Sequence, residues 1–200
     1  MKIERVEDIF IPRKEIRIGT GWEDELRPFL KAYADFMGDE MSVPAGDTEL
    51  DKCENILKTT LPTDLRLFYK TFGPAKLQEG LFSPSDFNYL TRDWNKKFLD
   101  NYTSSEQDVL SKLIVFGDYL GNGNVWCFHA DTKDIFYFKH DSRPNINGMF
   151  ETFGQYIQSL VIFSQQEMAD GELDDEIEKI VVGLIGQDRV RVWQYFGGWG

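Results

Sequence analysis

Two histidines, two cysteines and an excess of carboxylates are the residues of this chain with types suited to chemistry. His129 and His140 fall on neighbouring predicted strands. If Ala130 pairs with Ile135, His129 lies opposite Phe136 and His140 opposite Val125. The two rings then share a face but stand four residues apart along the strands, about 13 Å at the usual rise. Ligands of a zinc ion each lie about 2 Å from it, so that register gives the pair no common metal. Asp131 and Asp141 are placed to accept a hydrogen bond from a neighbouring histidine, and packed or strand-end histidines are the expectation.

Cys53 and Cys127 are far apart and outside any Cys-x-x-Cys spacing, which reads as two buried thiols. Carboxylates are so abundant (34 Asp plus Glu) that a catalytic pair has no sequence signature here. Gly-x-Ser-x-Gly, the Walker A loop and a helix-opening Gly-x-Gly-x-x-Gly do not occur. The Gly121-Asn122-Gly123-Asn124 run sits between two predicted strands, so it offers a phosphate no helix N-terminus. No catalytic residue, no metal ligand and no cofactor follows from these patterns.

The elements that would position these residues come from a 200-residue chain with 42 % hydrophobic and 14 % aromatic residues, enough for a packed core. Its formal charge of −12 repels phosphate backbones and excludes general nucleic-acid binding. No run nears the ~20 apolar residues of a membrane span. The opening MKIERVEDIFIPRKEIRIG lacks an apolar signal core, so a cytoplasmic location is expected.

Residues 1–20 alternate as a strand or hairpin lead-in. A helix follows on Trp22, Leu26, Phe29, Leu30, Tyr33 and Phe36, stopped by Gly38. Thr48 to Asp51 resembles a capping box for a helix carrying Leu50, Cys53, Ile56 and Leu57 inward. Pro62 interrupts it, Thr63 and Asp64 start the next helix on Leu65, Phe68, Tyr69 and Phe72, and Gly73-Pro74 closes that one. A short strand at 80–84 and helices near 86–98 and 104–112 come next.

The strongest β signal is an antiparallel meander over 113–140, turning at 117–124 and 131–134. Trp126, Phe128, Ala130, Ile135, Tyr137 and Lys139 fall on one face, and Val125, Cys127, His129, Phe136, Phe138 and His140 on the other. Aromatics on both faces require cover on both sides. The polar stretch 141–148 reads as a loop before a helix from about Phe150 to Phe163. The fold class expected is α+β, a central antiparallel meander sheet packed by helices.

Four segments in order, ENILKTTLPTDLRLFYKTFG, GLFSPSDF, LIVFGDYLGNGNVWCFHADTKDIFYFKHDS and FETFGQYIQSL, together resemble the SUKH superfamily, which includes the fungal Smi/Knr cell-wall-synthesis regulators. The resemblance covers residues 48–165. It leaves an N-terminal extension, 1–47, and an acidic segment with an aromatic tail, 166–200, expected to pack on the same domain.

The resemblance implies a non-catalytic protein-binding module. Its bacterial members are commonly immunity proteins that neutralise polymorphic toxins, many of them nucleic-acid-degrading and often basic. The expected partner is a basic toxin domain, with the chain a monomer or weak dimer. Expected contact residues are Asp118, Tyr119 and Asn122 of the glycine-rich turn. Glu167, Asp170, Glu172, Asp174, Asp175, Glu176 and Glu178 join them, in a run (165–178) that contains no base. The alternatives are a Smi/Knr-like scaffold or regulator of cell-wall synthesis or signalling and, more remotely, an unrecognised enzyme. The segment Trp193–Trp199 reads either as an interface or as a last element packing on the core.

Overall fold

Helix ends follow the punctuation in the sequence. In the computed structural model the helices are α1 (Trp22–Met37), α2 (Asp47–Leu57), α3 (Thr63–Phe72), α4 (Lys96–Leu99), α5 (Ser104–Leu110), α6 (Phe153–Phe163), α7 (Gln165–Met168), α8 (Asp174–Ile185) and α9 (Gln187–Gln194). The strands are β1 (Gly80–Leu81), β2 (Asn88–Tyr89), β3 (Leu113–Asp118), β4 (Val125–His129), β5 (Ile135–Phe138) and β6 (Ile146–Phe150). The structure describes residues 2–194 except Trp94, Tyr119, Leu120, Asn122, Ser142 and Pro144, with the side chains of Phe98 and Gln194 also outside the description. It is an α+β fold.

The contacts divide the chain into two units, one of residues 42–75 and 79–153, the other of 1–41, 76–78 and 154–200. The first holds the sheet, all antiparallel, in the order β1-β3-β4-β5-β6 with β2 also paired to β3. Trp126, Phe128, Ile135 and Tyr137 are buried on one face. Phe128 packs near Phe87 and Phe116 at 6.5 and 6.4 Å between ring centroids, and Phe87 in turn meets Tyr69 of α3 at 5.6 Å. On the other face Cys127 and Phe138 cluster with Leu113 and with Leu110 and Tyr102 from the α5 region. Each fully buried large apolar side chain contributes roughly 1.5–3 kcal/mol. Both faces are covered, as the two-sided aromatic pattern requires.

The β4–β5 register is tighter than expected. Phe128, not Ala130, faces Ile135, and Val125 faces Phe138. Lys133 closes the turn in the left-handed region, with φ 70°, and the His129 amide donates to the Asp134 carbonyl at 2.9 Å. A slip of two residues leaves every side chain on its assigned face, because the strand period is two.

Other expectations fail for physical reasons. No strand forms among the described residues of 1–20, where a 3₁₀ turn spans Val6–Asp8. The extended chain gains its backbone partners from glutamine side chains instead. Gln165 Oε1 accepts from the Phe10 amide at 2.7 Å, and Gln165 Nε2 donates to the Phe10 carbonyl at 2.8 Å. Gln158 Nε2 donates to the Pro12 carbonyl at 2.6 Å. Ile56 points outward, 64 % exposed, because the buried stripe of α2 is Leu50, Cys53 and Leu57. The N-cap of α2 is Gly46 rather than Thr48. The helix expected at 86–98 gives way to β2 and the short α4. Strand β6 replaces the end of the expected loop, and α6 begins at Phe153.

In the second unit, Trp193 of α9 stacks on Tyr156 (6.1 Å) and meets Phe163 edge-on (4.9 Å), so it packs internally. The remainder of the aromatic tail, 195–200, lies outside the described residues.

Candidate partner-binding surface

The glycine-rich connection leaves β3 at Asp118, opposite Val125 of β4 and Gly80 of β1. Burial pushes the Asp118 carboxyl above the usual carboxylate range, and the Gly121 amide, donating to it, offsets part of that rise. Asp118 therefore anchors its own turn. Gly123 holds φ 91°, and a Cβ there would lie 3.0 Å from His140 Nδ1. The ring closes over this backbone because Asn124 Oδ1 meets both the His140 amide and Nδ1 at 3.1 Å. Tyr119 and Asn122, the other two residues expected here, lie outside the described residues.

The acidic run lies in the other unit, on α7, the following turn and α8. Glu167 accepts a close hydrogen bond from the Tyr33 hydroxyl. Burial and then the adjacent carboxylate drive that phenol far above its ordinary range. Asp170 occupies the left-handed region at φ 53° in the turn between α7 and α8. Asp174, Asp175 and Glu176 form the first turn of α8, where the helix dipole favours negative charge. Burial and the neighbouring Asp175 raise the Asp174 carboxyl. Glu167, Asp170, Glu172, Asp174 and Asp175 are exposed, whereas Glu176 and Glu178 are half-buried. The backing is firm, because Ile177 and Val181 are fully buried beneath α8.

The histidines have structural partners. His129, buried, accepts through Nδ1 from the amides of Asp131 (3.3 Å) and Thr132 (3.2 Å), which organises the β4–β5 turn. Asp131 thus serves its histidine as a backbone donor, while its carboxylate pairs with Lys112 at 3.3 Å. His140 Nε2 lies 2.6 Å from Asp141 Oδ1, the acceptor expected for it. Among the described residues no group of three or more His, Cys, Asp and Glu side chains is placed to hold a metal. Cys53 and Cys127 are buried free thiols, and burial pushes Cys53 up to about 11. No helix among the described residues is long and apolar enough to cross a membrane.

Two charged arrangements escaped the sequence reading. Arg66 of α3 bridges Asp47 (3.1 Å), Asp51 (2.7 Å) and Glu54 (3.0 Å) of α2, with Lys70 also on Asp47. The four- and three-residue spacing of those acids was the available signal, since it places them on one helix face. Lys133 Nζ reaches Thr59 Oγ1 at 2.8 Å and the Thr60 carbonyl at 2.7 Å, pinning the β4–β5 turn to the α2–α3 connection. Desolvation lowers that ammonium below its ordinary range.

The family model described as SMI1 / KNR4 family (SUKH-1) matches residues 44–159, more than half of the chain. No curated protein and no solved structure matches it.

Proposed function

Because the chain belongs to the SMI1 / KNR4 family (SUKH-1), we propose that it is a non-catalytic protein-binding module, a bacterial immunity protein that neutralises a basic, nuclease-type toxin. The observation that carries this reading is the acidic segment of α7 and α8. Five of its carboxylates are exposed on a segment held from behind by Tyr33, Ile177 and Val181, and no base interrupts residues 165–178. A toxin that grips phosphates with Lys and Arg presents a positive surface. A preformed negative surface on a chain of charge −12 accelerates its capture and disfavours competing acidic partners. Carriage on preformed helices also spares the backbone ordering cost on binding.

Co-expression with the product of the neighbouring upstream gene tests the reading. Growth is expected to be restored, with both chains recovered as one complex. Cell death despite soluble expression of both, or a neighbouring product without toxicity, contradicts it. Recovery of many modest partners rather than one tight one would favour the Smi/Knr-like regulatory role.

A further inference from the structure

We infer that the outer edge of the sheet, at Ile146 and Gly148 of β6, pairs with the same edge of a second copy of this chain. Among the described residues, strand β6 ends the sheet path, paired to β5. The direction of its backbone groups follows from the alternation of an antiparallel ladder. His129 donates to Asp134 across β4–β5 at 2.9 Å, and Lys139 donates to Asn145 beyond the end of β5–β6 at 2.8 Å. Counting in twos from those bonds, Phe136 and Phe138 face β4, and Tyr137 faces Asn147 of β6. Ile146 and Gly148 therefore turn their N–H and C=O groups away from β5. Gly148 is exposed, and Ile146 and Asn147 are half-buried. A strand edge in this state is a template for another strand.

Two features select a second copy as the occupant. The outward groups are self-complementary: about a two-fold axis at Asn147, Ile146 meets Gly148 of the other copy, and each such pair exchanges two hydrogen bonds. Strand β6 contains no charged residue, so nothing in the pairing repels itself. The bulge between the Ile135 and Phe136 pairings disturbs β6 at Met149, which confines the ladder to these three residues and keeps the dimer weak.

Sedimentation velocity over a concentration series tests the pairing, with melting curves to establish that each variant is folded. The wild-type chain should move from monomer towards dimer mass as concentration rises. Association should strengthen with salt, which screens the repulsion between two chains of charge −12. Asn147→Asp and Asn147→Lys each place like charges face to face on the axis and should weaken dimerisation by roughly tenfold or more. Mixing the two variants in equal amounts should restore it. A chain that stays monomeric throughout, or charged variants that associate like the wild type, overturns the inference. So does a monomer in which Asn147→Lys instead blocks the toxin domain, since the edge would then serve a foreign strand.

Discussion

Gly73 and Gly183 should answer the same substitution in opposite ways. At Gly73, φ is 70° and an added Cβ would sit 2.1 Å from the Val43 carbonyl oxygen, so Gly73→Ala forces the backbone apart. It should cost at least about 3 kcal/mol by urea unfolding. Gly183 lies inside α8 with nothing within 4 Å of such a Cβ. Gly183→Ala should be neutral or stabilise by up to about 1 kcal/mol, through better helix propensity. Equal effects at both positions would contradict the described packing. At this scale the sequence spoke clearly where a residue punctuates the backbone, as Gly38 and Gly73 do. It was silent on His129, whose role as acceptor for two turn amides depends on a register two residues tighter than the strand pattern suggests.

Helix α5 carries its own start signal, a reciprocal capping box. Thr103 Oγ1 accepts from the Glu106 amide at 3.3 Å, and Glu106 Oε2 accepts from the Thr103 amide at 2.8 Å. Thr103→Ala should lower stability by about 1 kcal/mol, read from the urea midpoint. Hydrogen bonds from the Thr103 backbone and side chain hold the Glu106 carboxyl below the usual carboxylate range. A depressed folded-state value means the contribution is complete above the unfolded value of about 4.3 and is lost as pH falls through the lower, folded one. Glu106→Gln should therefore flatten that part of the acid limb, and an unchanged limb would contradict the box. Elements with dense local signals were legible: α1, α3, β3, β4 and β5 stand where periodicity places them. Strand β6 was not, since Ile146-Asn147-Gly148 has little intrinsic β preference and is fixed by its pairing with β5. The first twenty residues deceived in the other direction. Their alternation reflects burial of Ile3, Ile9 and Ile16, while side-chain amides rather than a neighbouring strand satisfy the Phe10 and Pro12 backbone.

Across the molecule, residues distant in sequence share a unit: 1–41 and 154–200 gather with 76–78, apart from the sheet-bearing 42–75 and 79–153. The four family-like segments were readable because each carries its own aromatic and glycine landmarks. The grouping of the two ends was not, because it depends on long-range contacts such as Gln165 with Phe10 and Glu167 with Tyr33. The expected contact residues divide accordingly, Asp118 in the sheet unit and the acids of α7 and α8 in the other. Asp118, partly buried and accepting from the Gly121 amide, presents less of its carboxylate surface to a partner than the exposed acids.

Stopped-flow association of the chain with the product of the neighbouring upstream gene, across a series of ionic strengths, tests the central claim most directly. A negative surface that captures a basic partner predicts a rate constant falling by about one to three orders of magnitude from low to high salt. The slope should flatten when Asp170, Glu172, Asp174 and Asp175 are replaced by their amides, leaving the Tyr33–Glu167 bond in place. A rate indifferent to salt, or a slope unchanged by those four replacements, would contradict the account.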